Sequence, residues 1–324
     1  MALGKPDFLS AHARYAQRAA HACGYAFRSL DGGDGYLFEV RDGARAATFA
    51  AGAGTPYALN DARAAAIARD KAFCAEALRQ AGVPVLPGRM FFVTERWAEM
   101  RAPGRELSDA RAFAAAAAYP LFCKPVSASN GLYAEAIHDA AAFEAYIARV
   151  AREHFAILVQ PYVRAPEYRV FVLNGRALYS YRKTAPFVVG DGVRTLAALA
   201  AELQDAPAPK PRGRTQCGGA VGPEDVLAPG VRVELDGPAN RAAGGGASEL
   251  RDGAAEALAN IACDAARAIG LRLAAVDLFD VGGDHSDLTV IEVNSNPMIA
   301  TLEENGRWDL IVQIWRANLE AAFA

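Results

Sequence analysis

The chain has 324 residues, just over half of them apolar, and a net charge of −3; this exceeds one usual compact core and suits two or three packed units. The mildly acidic balance, without any Lys/Arg block, gives a nucleic-acid role little support, and no uncharged apolar run reaches the about 18 residues of a membrane span. Five cysteines (Cys23, Cys74, Cys123, Cys217, Cys263) with no metal or redox spacing imply reduced thiols in a cytoplasmic protein, and the first residues show no signal-peptide pattern.

In chain order, residues 8–23 read as an amphipathic helix. Three short strand-like runs follow, starting at Tyr25, Tyr36 and Ala44 and separated by the turns DGGDG and RDG. Residues 61–81 read as one helix, stopped by Gly82 and Pro84. Next come a strand at 89–93, a helix at 111–118, a strand at 121–126 entering the polar loop SASNG, a helix at 140–152 and a buried strand at 157–160. EYRVFVLNGRALYSYRK predicts a hairpin around Asn174-Gly175. Residues 204–247, rich in Pro, Gly and Arg, predict long loops with one strand, VRVELD. A helix at 253–269, the strands AAVDLF and LTVIEVN around the turn GGDHSD, and a helix at 308–324 close the chain.

The last two strands carry the strongest chemical signal. Glu292 and Asn294 are two residues apart and share one face of a strand, with Ile291 and Val293 expected on the core side. Folding the strands about a turn centred between Asp284 and His285 sets Asp277 opposite Glu292. Facing carboxylates repel by about 0.5 kcal/mol when solvated and more when buried, so a cation belongs between them. Two carboxylates and an amide oxygen are hard ligands suited to Mg²⁺; a solvated polar edge is the plainer alternative.

Cations come from other segments. Lys124 lies in the apolar strand LFCKPV, where an ammonium needs an anion, either a phosphate or a structural carboxylate. Lys71, alone, reads as a surface helix residue. Ser127–Gly131 includes Ser129 and Gly131 and suits backbone N–H groups closing over phosphates, although an ordinary turn fits too. No GxxxxGK[ST] motif is present, and AGAGTP from Ala51 has Tyr57 where a dinucleotide fingerprint needs its third glycine. The strand ILVQPYV breaks at Pro161, so the stretch Gln160, Pro161, Tyr162, Val163 can offer freed backbone groups to an adenine edge, with Glu167 beyond it for ribose; a connector between units fits equally. Arg169, Arg176, Arg182 and Lys183 lie on the following hairpin, solvated or aimed at phosphates.

Five features in one order resemble the ATP-grasp superfamily over nearly the whole chain: DK at Lys71 followed by GVPVLPG, FCKPV, LVQPYV with APEYRVFVLNG, YRK with GDGVRTLAAL, and VDLF with IEVNSNP. The stretch GDGVRTLAAL and the Gly-rich VELDGPANRAAGGGASELRDGAAEA are similar to the ATP-grasp part of cyanophycin synthetases and fused glutathione synthetases. The resemblance implies a mixed α+β and α/β chain: a reduced N-terminal α/β domain (1–65) and two α+β subdomains clamping ATP (66–163 and 164–324). It implies ligation of a carboxylate to an amine through an acyl phosphate, with release of ADP and phosphate.

The resemblance also implies roles. Lys71, Lys124, Ser129 and Gly131 would hold phosphates; Gln160, Pro161, Tyr162 and Val163 would contact adenine, and Glu167 the ribose. Arg169, Arg182 and Lys183 would approach the phosphates. Asp277, Glu292 and Asn294 would bind one or two Mg²⁺, with Mn²⁺ as a substitute. Asn240, Arg241 and residues 244–246 would line the acceptor side. Expected partners are small carboxylate and amine substrates, amino acids above all, with no nucleic acid or membrane; a homodimer stays open. Departures from the family pattern are Gln160 in place of an acid at the hinge and a single glycine after Lys124. A ligase acting on a peptide or protein terminus, a nucleotide-binding module without chemistry and a kinase are the rival readings.

Overall fold

The computed structural model describes residues 9–51, 56–203, 211–239, 246–247 and 250–324. Helix α1 (Ala11–Cys23) starts where the Ser10 hydroxyl accepts from the Ala13 N–H and ends at Gly24 in the left-handed conformation. Strands β1 (Ala26–Ser29), β2 (Leu37–Asp42) and β3 (Arg45–Ala50) form an antiparallel sheet beside it. Phe38 and Phe49 of this sheet pack on Trp315 near the chain's end, so the N-terminal layer shares its core with the C-terminal helix.

The expected single helix over 61–81 is two: α2 (Ala62–Arg69) and α3 (Lys71–Gln80). Asp70 between them is extended, and its carboxylate accepts from Ala72 N and Phe73 N. An aspartate offers the backbone this N-cap in place of continued helix. The break makes Lys71 the first residue of α3, with its N–H on the Val126 carbonyl at 2.8 Å.

A small antiparallel sheet follows, built from β4 (Arg89–Phe92), α4 (Leu107–Ala116), β5 (Leu121–Pro125), β6 (Glu135–Ile137), α5 (Ala140–Val150) and β7 (Ala156–Pro161), in the order β4-β7-β5-β6. Phe91, Cys123, Ile157 and Val159 pack with Phe143 and Tyr146 of α5. Alternation sends Phe122, Lys124, Leu158 and Gln160 to the other face.

The hairpin of β8 (Glu167–Leu173) and β9 (Arg176–Thr184) turns at Asn174 and Gly175, both at positive φ. Beyond it lies a second structured unit: β10 (Phe187–Val189), α6 (Leu196–Ala200), β11 (Gly213–Thr215), β12 (Ala220–Val221) and β13 (Arg232–Leu235), of which β11 and β12 fall in the expected loops and β13 is the expected strand. These strands pair in the order β10-β13-β11-β12 around Val188, Leu196, Val221 and Val233. Strands of two or three residues, such as β10, β11 and β12, are too short for a period-2 pattern to register.

The short strands β14 (Gly246–Ala247) and β15 (Arg251–Asp252) pair with β9. Then α7 (Glu256–Ile269), β16 (Leu273–Asp280), β17 (Leu288–Asn294), α8 (Ala300–Glu304) and α9 (Trp308–Phe323) complete the chain. The large sheet runs β14-β9-β8-β16-β17. One face, with Val170, Val172, Val276 and Val293, packs under α7, α2 and α3. The other is divided: Phe171, Tyr179, Leu273 and Ala275 join the N-terminal core, while Glu167, Arg169, Lys183 and Asp277 form a charged end. A register shift beside Asp277 leaves Ile291 without a cross-strand partner, so Val290 and Val293 enter the core, not Ile291 with Val293 as alternation alone implies.

Candidate active site

The charged end gathers residues from three neighbouring strands. Asp277 lies opposite Glu292 on one side, the register expected from the sequence, and opposite Arg169 on the other, which the sequence did not announce. Arg169 Nε and Nη2 donate to Asp277 Oδ1 and Oδ2 at 2.6 and 2.7 Å. Lys183 Nζ donates to Asp277 Oδ2 at 2.8 Å and also to Glu167. The cation required beside Asp277 is therefore supplied by two side chains of the protein. Burial pushes the Asp277 carboxyl upward, but Arg169 and Lys183 outweigh it and hold it well below the usual carboxylate range. Burial lowers Lys183, yet Asp277 and Glu167 raise it to about 12. Burial leaves Glu167 above its ordinary range despite Lys183.

Glu292 is in a different position. Its Oε1 accepts from Asn294 Nδ2 at 3.2 Å. Burial opposes its ionisation, but the charges of Lys71 and Lys124 prevail and lower its pKa. Lys124 is 4% exposed and forms no ion pair among the described residues. Burial depresses its pKa, with Glu292 offsetting part of the effect. Lys71 Nζ donates to the Ala128 carbonyl at 2.6 Å, which ties α3 to the loop holding Ser129 and Gly131. Asn130 and Gly131 of that loop adopt positive φ, and Ser129 is exposed.

The end of β7 joins the two sheets. Gln160, 1% exposed, donates from Nε2 to the Leu86 carbonyl at 3.2 Å, while the Leu86 N–H donates to Val290 of β17 at 2.9 Å. Gln160 Oε1 is buried with no hydrogen-bond partner among the described residues, unlike most buried acceptors. The chain passes so close here that a Cβ on Gly88 would lie 2.8 Å from Gln160 Cγ. The Tyr162 ring stacks on Phe122 at 6.2 Å and 16°.

Not every candidate joins this cluster. Arg182 is exposed and lies across from Tyr168, on the face opposite Lys183. Arg176 is exposed at the hairpin turn. Arg241, with Asn240 and residues 244–245, lies outside the described residues, whereas Gly246 pairs with Thr184. Surface concavities beside Cys263 lie between α7 and the hairpin turn, away from the charged end. Among the described residues no three His, Cys, Asp or Glu side chains converge as a metal site; the set expected from the sequence has only two carboxylates, Asp277 and Glu292, beside the Asn294 amide.

Sequence reasoning missed Asn60. Its Nδ2 donates to Leu273 O and Ser295 O at 2.8 and 3.0 Å, and its Oδ1 accepts from Arg272 N and Leu273 N, both at 3.0 Å. With Tyr57, whose hydroxyl donates to Pro297 O at 3.2 Å, it fixes the segment leaving Asn294. A lone Asn in a short connector carries no periodic signal. Asp236 was missed too; it contacts Tyr162 from 74 residues away.

No family model matches the chain. The chain is 29% identical over 215 residues to the glutathione biosynthesis bifunctional protein GshAB of Mannheimia succiniciproducens, a match covering 57% of this chain and 28% of that protein. It is 26% identical over 255 residues to the cyanophycin synthetase of Geminocystis herdmanii, covering 71% of this chain and 28% of the relative. The aligned parts thus span little more than a quarter of these relatives. Among solved structures, a bifunctional glutathione synthetase from Pasteurella multocida matches with a TM-score of 0.51 and 20% identity, over 95% of this chain and 44% of that one. The chain has the ATP-grasp fold, as its ordered motifs imply.

Proposed function

We propose that this protein is an ATP-dependent carboxylate–amine ligase that forms an amide through an acyl phosphate and releases ADP and phosphate. The observation that carries this reading is Lys124: a buried ammonium without a carboxylate contact among the described residues, on the sheet face that also presents Gln160. Such a charge is costly unless an anion completes it, and a nucleotide phosphate is the anion that also accounts for the unpartnered Gln160 Oε1. That oxygen suits the exocyclic amino group of adenine, and Tyr162 and Val163 flank the same edge. Lys71 assists Lys124 at the phosphates, Lys183 stays on Asp277 and Glu167 beside them, and Glu167 lies toward the ribose.

The acidic residues fit a hard divalent ion. Glu292 and Asn294 present oxygen ligands, and Asp277 can share an oxygen already bonded to Arg169 or Lys183. Mg²⁺, with Mn²⁺ as a substitute, supplies charge neutralisation at the phosphates. In the first step a substrate carboxylate oxygen attacks the γ-phosphorus and the bond to the ADP oxygen breaks. In the second, an amine attacks the acyl carbon, loses a proton, and phosphate leaves. The protein side chains orient the nucleotide and stabilise charge on the moving phosphoryl group. Arg241 is assigned to the acceptor side, and the substrates are small amino acids or peptides. Mass spectrometry of a reaction containing Mg-ATP and mixed amino acids tests the reading. A product lighter by one water than two substrates supports it; a stable phosphorylated product without amide contradicts it.

A further inference from the structure

We infer that Asp236 is a positioning residue for the nucleotide hinge, through which the β10–β13 sheet latches onto the small sheet. The inference rests on the proposed role of residues 160–163. Asp236 directly follows β13, and its N–H donates to the Arg212 carbonyl at 2.8 Å, so its backbone belongs to the β10–β13 unit. Its side chain, 10% exposed, turns away from that unit. It forms an ion pair with Arg164, just beyond the hinge. It accepts the Tyr162 hydroxyl at 3.4 Å and lies 3.3 Å from His138 Nε2, which follows β6 of the small sheet.

These contacts converge on one hinge residue. The Tyr162 hydroxyl also accepts from the Gly237 N–H at 3.3 Å. The ring contacts both Phe122 and the Arg164 guanidinium, the latter 5.6 Å from its centroid. A tyrosine held at both ring and hydroxyl has little freedom at its Cα, and the backbone of Pro161 and Val163 on either side is fixed with it. Neutralising the Asp236 charge weakens the Arg164 contact and the hydroxyl anchor together, because both end on the same carboxylate. The base side of the cleft should loosen, while Lys124 and Lys71, anchored on β5 and α3, keep their places.

Calorimetric titration of wild type, Asp236→Asn and Tyr162→Phe with a non-hydrolysable ATP analogue and with inorganic tripolyphosphate separates base positioning from general damage. Asp236→Asn is expected to weaken the ATP analogue about tenfold, and Tyr162→Phe about threefold, with tripolyphosphate affinity unchanged. Tyr162→Phe keeps the test available if Asp236→Asn folds poorly. Equal loss for both ligands, or no loss for either, overturns the positioning role. A wild-type protein that binds the analogue no better than tripolyphosphate removes the nucleotide reading of the hinge, and the inference with it.

Discussion

Lys183 in the large sheet and Lys124 in the small sheet are both buried cations on β-strands, but their surroundings differ. Lys183 touches two carboxylates, and Arg169 completes the neutralisation of Asp277. Lys124 has the Phe122 ring at 6.0 Å and feels the charge of Glu292, with no carboxylate in contact among the described residues. The first arrangement is electrostatically closed and holds three strands in register. The second is open and needs an anion from outside. Burial of charge does not by itself mark a binding site; incomplete satisfaction does.

The largest effect should come from opening the closed cluster. Arg169→Met leaves Asp277 buried with Lys183 alone and is expected to cost about 3–5 kcal/mol in urea denaturation. Glu292→Gln, which removes a carboxylate facing two lysines across a gap, should cost under about 1 kcal/mol yet abolish turnover. Similar destabilisation by both variants would erase the distinction between the two regions.

The open cation gives the next effect. Lys124→Met should leave stability unchanged or higher while weakening an ATP analogue at least about tenfold, since one charge-assisted contact is lost. Strong unfolding with unchanged affinity would mean that Lys124 has a structural partner. A smaller change is expected at the hinge. Gln160→Leu removes the unpartnered acceptor and should reduce the preference for ATP over GTP by about tenfold or less, measured by competition binding. An unaltered preference would assign base recognition elsewhere.

The smallest effect is a pH slope. Lys124 has a lowered pKa in the folded protein, so the unfolded chain binds more protons between that value and the ordinary lysine pKa. Stability should therefore rise as pH increases through this window, and Lys124→Met should flatten the rise. Lys183, raised to about 12, acts with the opposite sign: its contribution is complete below the ordinary lysine value and is lost as pH climbs through about 12. Denaturation at pH of about 8 and about 10 isolates the Lys124 slope, because the Lys183 loss lies higher.

The two regions were not equally legible. The acidic hairpin could be read because pairing about a short turn sets Asp277 against Glu292 by counting alone. The hairpin carrying Arg169 and Lys183 was also legible, but not that Glu167, Arg169 and Lys183 share one of its faces with Arg182 on the other. Counting could not say that Asp277 would pair with those cations, since partner choice depends on how three strands stack. Asp70 was hidden inside an otherwise helical stretch, although an Asp followed by Lys-Ala-Phe is an N-cap signal. Of the β10–β13 sheet only β13, within VRVELD, was legible; the other three strands, of two or three residues, are shorter than one clear alternation. Asn60 and Asp236 act through contacts with residues far away in sequence, and no local pattern announces such contacts.

The central claim is that ATP is cut at the γ-phosphate to activate a carboxylate. Its most direct test is chromatography of the nucleotides formed when the protein turns over Mg-ATP with mixed amino acids, read beside the amide product. The account predicts ADP and phosphate, each equal in amount to the amide. AMP and pyrophosphate in that ratio would contradict it, because cations aimed at the α-phosphate would then be required.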